Sequence, residues 1–152
     1  MMLILAWAAI ISFVIIMYVI LDGFDLGVGI LFPWVKSNEN RDIMMTSIAH
    51  VWDGNETWLV LGGASLYAAF PIAYSTLLPT LYMPLTIMLA ALIFRGVAFE
   101  FRFKAKKDRY IWDIAFSAGS TIAAFGQGLV LGTFVLGYGT QLPIQVSAYQ
   151  WF

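Results

Sequence analysis

The chain has 152 residues, of which 61% are hydrophobic and 11% charged, less than half the roughly 25% charged share usual in soluble domains. With a mean hydropathy of +0.84 and a formal net charge of -1, it reads as an all-α integral membrane protein with no nucleic-acid-binding arm. The absence of cysteine excludes disulfides, iron–sulfur clusters, cysteine-linked haem and Cys-type zinc sites, and the single histidine, His50, excludes a bis-histidine haem within one copy.

In chain order, Met1–Leu21 is apolar apart from Ser12 and Tyr18. It lacks a basic leading segment and is longer than a leader's apolar core, so it reads as a retained span rather than a cleaved signal. Apolar character resumes after Asp25 in "LGVGILFPW" and carries the first helix to about residue 34. "KSNENRD", residues 36–42, is a polar loop. The next uncharged run, Thr57–Phe94, is too long for one span and contains Pro71, Pro79 and Pro84. It divides into two helices with a turn between Pro71 and Pro79.

That division sets the depth of the charges. Thr57–Pro71 would make about 22 Å of helix, short of the roughly 30 Å hydrocarbon layer. The second helix must therefore start near Thr46, which draws Asp53 and Glu56 into the membrane. By the same arithmetic the third helix recruits Arg95, with Glu100 and Arg102 near its end. "KAKKDR" follows as a loop, and Ile114–Tyr138 spans unaided. The expected architecture is a single transmembrane domain, 1–152, folded as a four-transmembrane-helix bundle with helices at about 3–34, 46–71, 78–102 and 110–137. Gly23/Gly27 and Gly128/Gly132 are GxxxG pairs that could let helices approach closely.

Seven of the eight basic residues fall in or beside the loops 36–42 and 102–109. The positive-inside rule makes that face cytoplasmic and places the N-terminus outside. Trp34, Trp52, Tyr110 and Trp112 then lie near one interface, and Tyr74, Tyr82 and Tyr138 near the other, as aromatic belts do.

An ionised side chain at mid-span costs about 2.5–3.5 kcal/mol on insertion scales, so such residues are expected to pair or to function. The acids of the cytoplasmic half are Asp22, Asp25, Asp53, Glu56 and Asp113, against one buried base, Arg95. Arg95 neutralises one or two of them, with Asp25 or Asp113 as its expected partner. The others must be protonated, hydrated or bound to a cation. Asp22/Asp25 and Asp53/Glu56 are each spaced i, i+3 and should share a helix face. Plainer roles stay open: capping acids for Asp53 and Glu56, a structural ion pair for Arg95, an interfacial histidine at 50. "DGFDLGVG" is no phosphate loop, since its acids repel phosphate and no lysine follows. Residue types alone fit a proton-handling subunit, half of an ion-coupled transporter, or a purely structural assembly subunit.

Three stretches narrow the choice. "YVILDGFDLGVGILFPW", "VWDGNETWLVLGG" followed by "AAFP", and "FRGVAFEFR" resemble, in order and spacing, subunit II of the cytochrome bd-type quinol oxidases. "FGQGLVLG" is similar to the cyanide-insensitive branch of that family. The resemblance implies a respiratory complex of a bacterial or archaeal cytoplasmic membrane that oxidises quinol and reduces dioxygen to water with cytoplasmic protons. It implies that haems b and d and the quinol site belong to a partner, subunit I, and that this chain is haem-free, with no catalytic, cofactor-binding or metal-binding residue; a bound quinone or lipid stays open. Asp53 matches the acid of a proton route that would include Glu56 and Asp22. Asp25, Arg95 and Asp113 match a charge cluster that supports assembly and the haem environment. Two departures stand out. Family members are about twice as long, built from two four-helix units, so a split gene product lacking its second half, a truncated gene and a fragment are all open. His50 replaces a proline common in the family.

Overall fold

The computed structural model describes residues 2–105 and 107–137; Lys106, Tyr138 and the C-terminal "QVSAYQWF" lie outside them. The described residues are almost entirely helical. Helix α1 is Met2–Leu31 and runs into a 3-10 turn, Phe32–Trp34, with Pro33 at its start, where proline's missing N–H costs nothing. Helix α2 is Asn38–Ile48, α3 is Trp52–Ala69, α4 is Pro71–Lys104 and α5 is Arg109–Gly137. The four long helices close a ring of contacts, α1 on α3, α3 on α4, α4 on α5 and α5 on α1.

Three helical stretches are long and apolar enough to cross a membrane, Met2–Trp34, Pro71–Lys104 and Arg109–Leu136, which makes this a multi-pass membrane protein. The expected fourth, α3, has 18 residues, about 27 Å, and its first two turns carry Asp53, Asn55 and Glu56. Those polar residues leave too little apolar length for α3 to qualify by composition.

The helix boundaries differ from expectation in two places, each for a local reason. The polar "NENRD" stretch is not a loop: it forms the first turns of α2, which Met45 and Ile48, both fully buried, pin to the bundle. The backbone then turns at 49–51, so the second long helix begins at Trp52 rather than near Thr46. The second difference is the turn between α3 and α4, which lies at Phe70 and not between Pro71 and Pro79. Phe70 has φ -135° and ψ 64°; a residue before proline is driven out of the helical region, and Pro71 then opens α4 at its first turn. Tyr67 and Tyr74 pack edge-to-face across this turn at 5.1 Å. Pro79 and Pro84 sit inside α4 instead of ending it. Membrane helices tolerate this, since neighbouring groups re-satisfy the freed carbonyls.

Two apolar layers position the site. Phe32, Met45, Ile48, Ala98, Phe99 and Phe116 cluster toward the basic loops. Leu26, Met88, Ala91, Leu92 and Ala123 cluster further along α4. Arg95 lies between them in α4, so whatever surrounds it is shielded from both directions.

Candidate functional site

Helices α1 and α3 send carboxylates to Arg95 of α4, and α5 adds Gln127 to the surrounding network. The guanidinium, fully buried on α4, donates from Nη1 to Asp22 Oδ1 at 3.1 Å and to Glu56 Oε1 at 2.8 Å. Its Nη2 lies 3.9 Å from Asp25 Oδ2, an ion pair beyond hydrogen-bond length. Asp22 and Asp25 are one turn apart on α1 and both fully buried, as their i, i+3 spacing requires. From α3, Asn55 Nδ2 donates to Asp25 Oδ2 at 2.7 Å. From α5, Gln127 Nε2 donates to Tyr18 Oη at 2.6 Å and more weakly to Asp22 Oδ2 at 3.4 Å. Three carboxylates thus face one guanidinium, a formal surplus of two negative charges. Glu56 alone keeps an open side, with its side chain 21% exposed against 0% for Asp22 and Asp25. Phe99 lies 5.8 Å from the guanidinium carbon and stacks on Trp52 at 5.0 Å, whose ring sits close over Gly96, where a Cβ would meet it at 3.2 Å.

A second cluster ties the helix ends together at the basic face. Arg102, also fully buried on α4, donates through Nε to Asp113 of α5 and through Nη1 to Asp42 of α2. Arg41 Nη1 donates to Asp113 Oδ2 at 2.9 Å, and its Nε caps the Val35 carbonyl at 2.7 Å. Arg109 Nη2 donates to Asp42 at 3.1 Å. The Phe32 ring takes Arg41 and Arg102, each at 5.3 Å, a cation–π arrangement. Partial burial pushes the Asp42 carboxyl up, but the hydrogen bonds from Arg102 and Arg109 outweigh it and hold the group below its ordinary value. With three cations and two anions, this cluster is compensated where the central one is not.

The structure regroups several of the expected residues. Asp22, Asp25, Glu56 and Arg95 come together. Asp113, expected beside Arg95 in one structural cluster, instead pairs with Arg41 and Arg102. Asp113 sits in the second turn of α5, level with Arg102, two helical turns along α4 from Arg95. Asp53 does not share the inward face of Glu56: it is exposed in the first turn of α3, while Asn55 and Glu56 are turned toward α1 and α4. His50 is exposed in the turn before α3. Sequence reading passed over Tyr18, Asn55 and Gln127, and treated Arg102 as a helix-end base. Arg102 had one available signal, its i, i+7 spacing from Arg95 on the same helix face.

The one imidazole is exposed in a turn, Met45 and Met88 are packed in the two apolar layers, and among the described residues no group of three or more His, Asp or Glu side chains is arranged to hold a metal ion.

Comparison with known proteins places this geometry in a family. The family described as "Cytochrome bd terminal oxidase subunit II" matches residues 3–152. The chain is 34% identical over 146 residues to the cytochrome bd-I ubiquinol oxidase subunit 2 of Escherichia coli (strain K12), covering 94% of this chain and 38% of the relative. It is 35% identical over 146 residues to the cytochrome bd ubiquinol oxidase subunit 2 of Bacillus subtilis (strain 168), covering 94% of this chain and 43% of the relative. The chain therefore spans about two fifths of the length of the curated relatives it matches. The family match over residues 3–152 shows that the chain belongs to the cytochrome bd terminal oxidase subunit II family.

Proposed function

We propose that this chain serves in a cytochrome bd-type quinol oxidase, which oxidises quinol and reduces dioxygen to water, as the haem-free subunit that admits protons from the cytoplasmic side. The observation that carries this reading is the surplus of two carboxylates around Arg95, within a bundle whose apolar layers exclude water on both sides. A guanidinium can hold one such anion cheaply; further buried acids are costly unless they exchange protons. Asp53 stands exposed at the start of α3, Glu56 one turn further in with one open side, and Asp22 beyond it. Glu56 Oε1 and Asp22 Oδ1 reach the same Arg95 nitrogen, so they are at most about 6 Å apart, a gap that one water bridges. The route is Asp53, Glu56, Asp22.

In this reading α3 is the fourth crossing. Arg102 ties the end of α4 to α2 at the basic face, and α4, with 34 residues, rises about 51 Å. Its start at Pro71 is therefore on the far side, and α3, which begins beside α2 and ends at Ala69, must traverse the bundle to meet it. The basic segments 36–42 and 102–109 face the cytoplasm of a bacterial or archaeal cell. The partner is subunit I with haems b and d, joined by a second four-helix half, with membrane lipid or a quinone around them.

The test is oxygen-reductase turnover and haem content of the assembled oxidase carrying Asp53→Asn or Glu56→Gln. At least a tenfold loss of turnover with haem retained is the expected result. Loss of both together points to assembly instead, and full turnover in both variants removes the two acids from the mechanism.

A further inference from the structure

We propose that the Tyr18 hydroxyl relays protons onward from Asp22 and that Gln127 holds the two groups in line. The inference rests on the proton-conducting reading above and extends it by two residues on α1 and α5.

The argument starts from what Arg95 cannot do. A guanidinium does not give up a proton in a protein, so a proton that reaches Asp22 cannot leave through its principal ion partner. The apolar residues packed alongside, Leu26, Met88, Ala91, Leu92 and Ala123, offer no acceptor. Apart from Asp25 and Glu56, which share the same guanidinium, the polar neighbours of Asp22 are Tyr18, one turn earlier on α1 and 4% exposed, and Gln127 of α5. Tyr18 Oη and Asp22 Oδ2 lie at most about 6 Å apart, a gap that one water bridges. A single Gln127 nitrogen reaches both groups, 2.6 Å from Tyr18 Oη and 3.4 Å from Asp22 Oδ2. One amide thus fixes the separation and orientation of the pair. A hydroxyl is both donor and acceptor: Asp22 gives its O–H proton through a bridging water to Tyr18 Oη while the phenolic proton passes to a second water at the half-buried edge of Gln127. The phenol is neutral before and after, and only O–H bonds are exchanged. Tyr18 precedes Asp22 on α1, so the relay continues away from the basic face, in the direction the entry residues already run.

Gln127 is a positioning residue, and a buried tyrosine with one hydrogen bond could be mere packing, so the test separates the two. In the assembled oxidase, Tyr18→Phe keeps the ring and removes the hydroxyl. Turnover should fall at least tenfold with haem content unchanged, and the solvent deuterium isotope effect on turnover should rise. Gln127→Leu should lower turnover several-fold, and adding it to Tyr18→Phe should cost nothing more, because both act on one step. Full turnover with an unchanged isotope effect in Tyr18→Phe overturns the relay; so does loss of haem in parallel with turnover, which marks packing. Asp22→Asn, measured alongside, distinguishes the two levels. If it is slow while Tyr18→Phe is not, proton conduction stands and the relay falls; if it too runs at full rate, the route does not use Asp22 and the relay falls with it.

Discussion

Arg95 is the residue on which the central site turns. Among the described residues it is the sole cation facing Asp22, Asp25 and Glu56, and its Nε and Nη2, like Asp25 Oδ1, find no hydrogen-bond partner there. Removing one member of a buried ion cluster strands the others' charge, at about 3–5 kcal/mol. Arg95→Gln should therefore lower unfolding stability in detergent by that amount. Adding Glu56→Gln to it, which deletes one stranded acid, should recover part of the loss; no recovery would mean that Arg95 acts through packing. Span arithmetic was enough to single out Glu56 and Arg95, because only length and polarity enter it. The same reasoning could not pair them, since which acid meets which base depends on helix rotation. Asp113 shows this: its charge made it eligible for Arg95, yet its level on α5 gives it to Arg102. Tyr18, Asn55 and Gln127 escaped because uncharged polar residues carry no insertion penalty large enough to flag them.

At the scale of elements, glycine sorts the helix contacts. The GxxxG pairs Gly23/Gly27 and Gly128/Gly132 have open space where a Cβ would stand, so neither serves close packing within the bundle. The close approaches are made by other glycines. A Cβ at Gly119 would meet the Ala91 carbonyl at 2.8 Å, and one at Gly126 would meet Met88 Cβ at 3.0 Å, both between α4 and α5; one at Gly29 would meet Ser120 Oγ at 2.0 Å, between α1 and α5. Gly119→Ala should destabilise the chain by about 1–3 kcal/mol through overpacking against backbone. Gly23→Ala should be neutral or stabilising by a few tenths, as alanine for glycine in an unobstructed helix is. Detergent unfolding midpoints of the two variants check the contrast. Motif spacing was a poor guide here because it records which residues share a face, while contact depends on where that face points. The prolines misled in the same way: Pro71 acts at a helix start, whereas Pro79 and Pro84 are absorbed by α4, and composition alone does not tell these uses apart.

For the whole molecule, the absence of cysteine makes topology directly measurable, since one introduced thiol reports alone. Cysteines placed at Glu39 and at Lys107 should react with a membrane-impermeant maleimide from one side of sealed vesicles, and one at Ser75, in the first turns of α4, from the opposite side. Reaction of all three from one side would mean that α3 does not cross. Three of the four expected spans are helices long and apolar enough to cross a membrane. The surface helix α2 was not readable from the sequence, because its polar first turns look like a loop until Met45 and Ile48 find the bundle.

Arg95 and Arg102 are seven residues apart on α4, about 10.5 Å along its axis, and each is clamped by carboxylates from other helices. Sliding or rotating α4 by a single residue would break both clamps at once, so its half nearest the basic segments is locked in register. The other half has no such anchors and carries Pro79 and Pro84, the usual place for a bend. In a thicker or thinner bilayer the charged half should keep its depth, and the proline-bearing half should take up the mismatch by tilting.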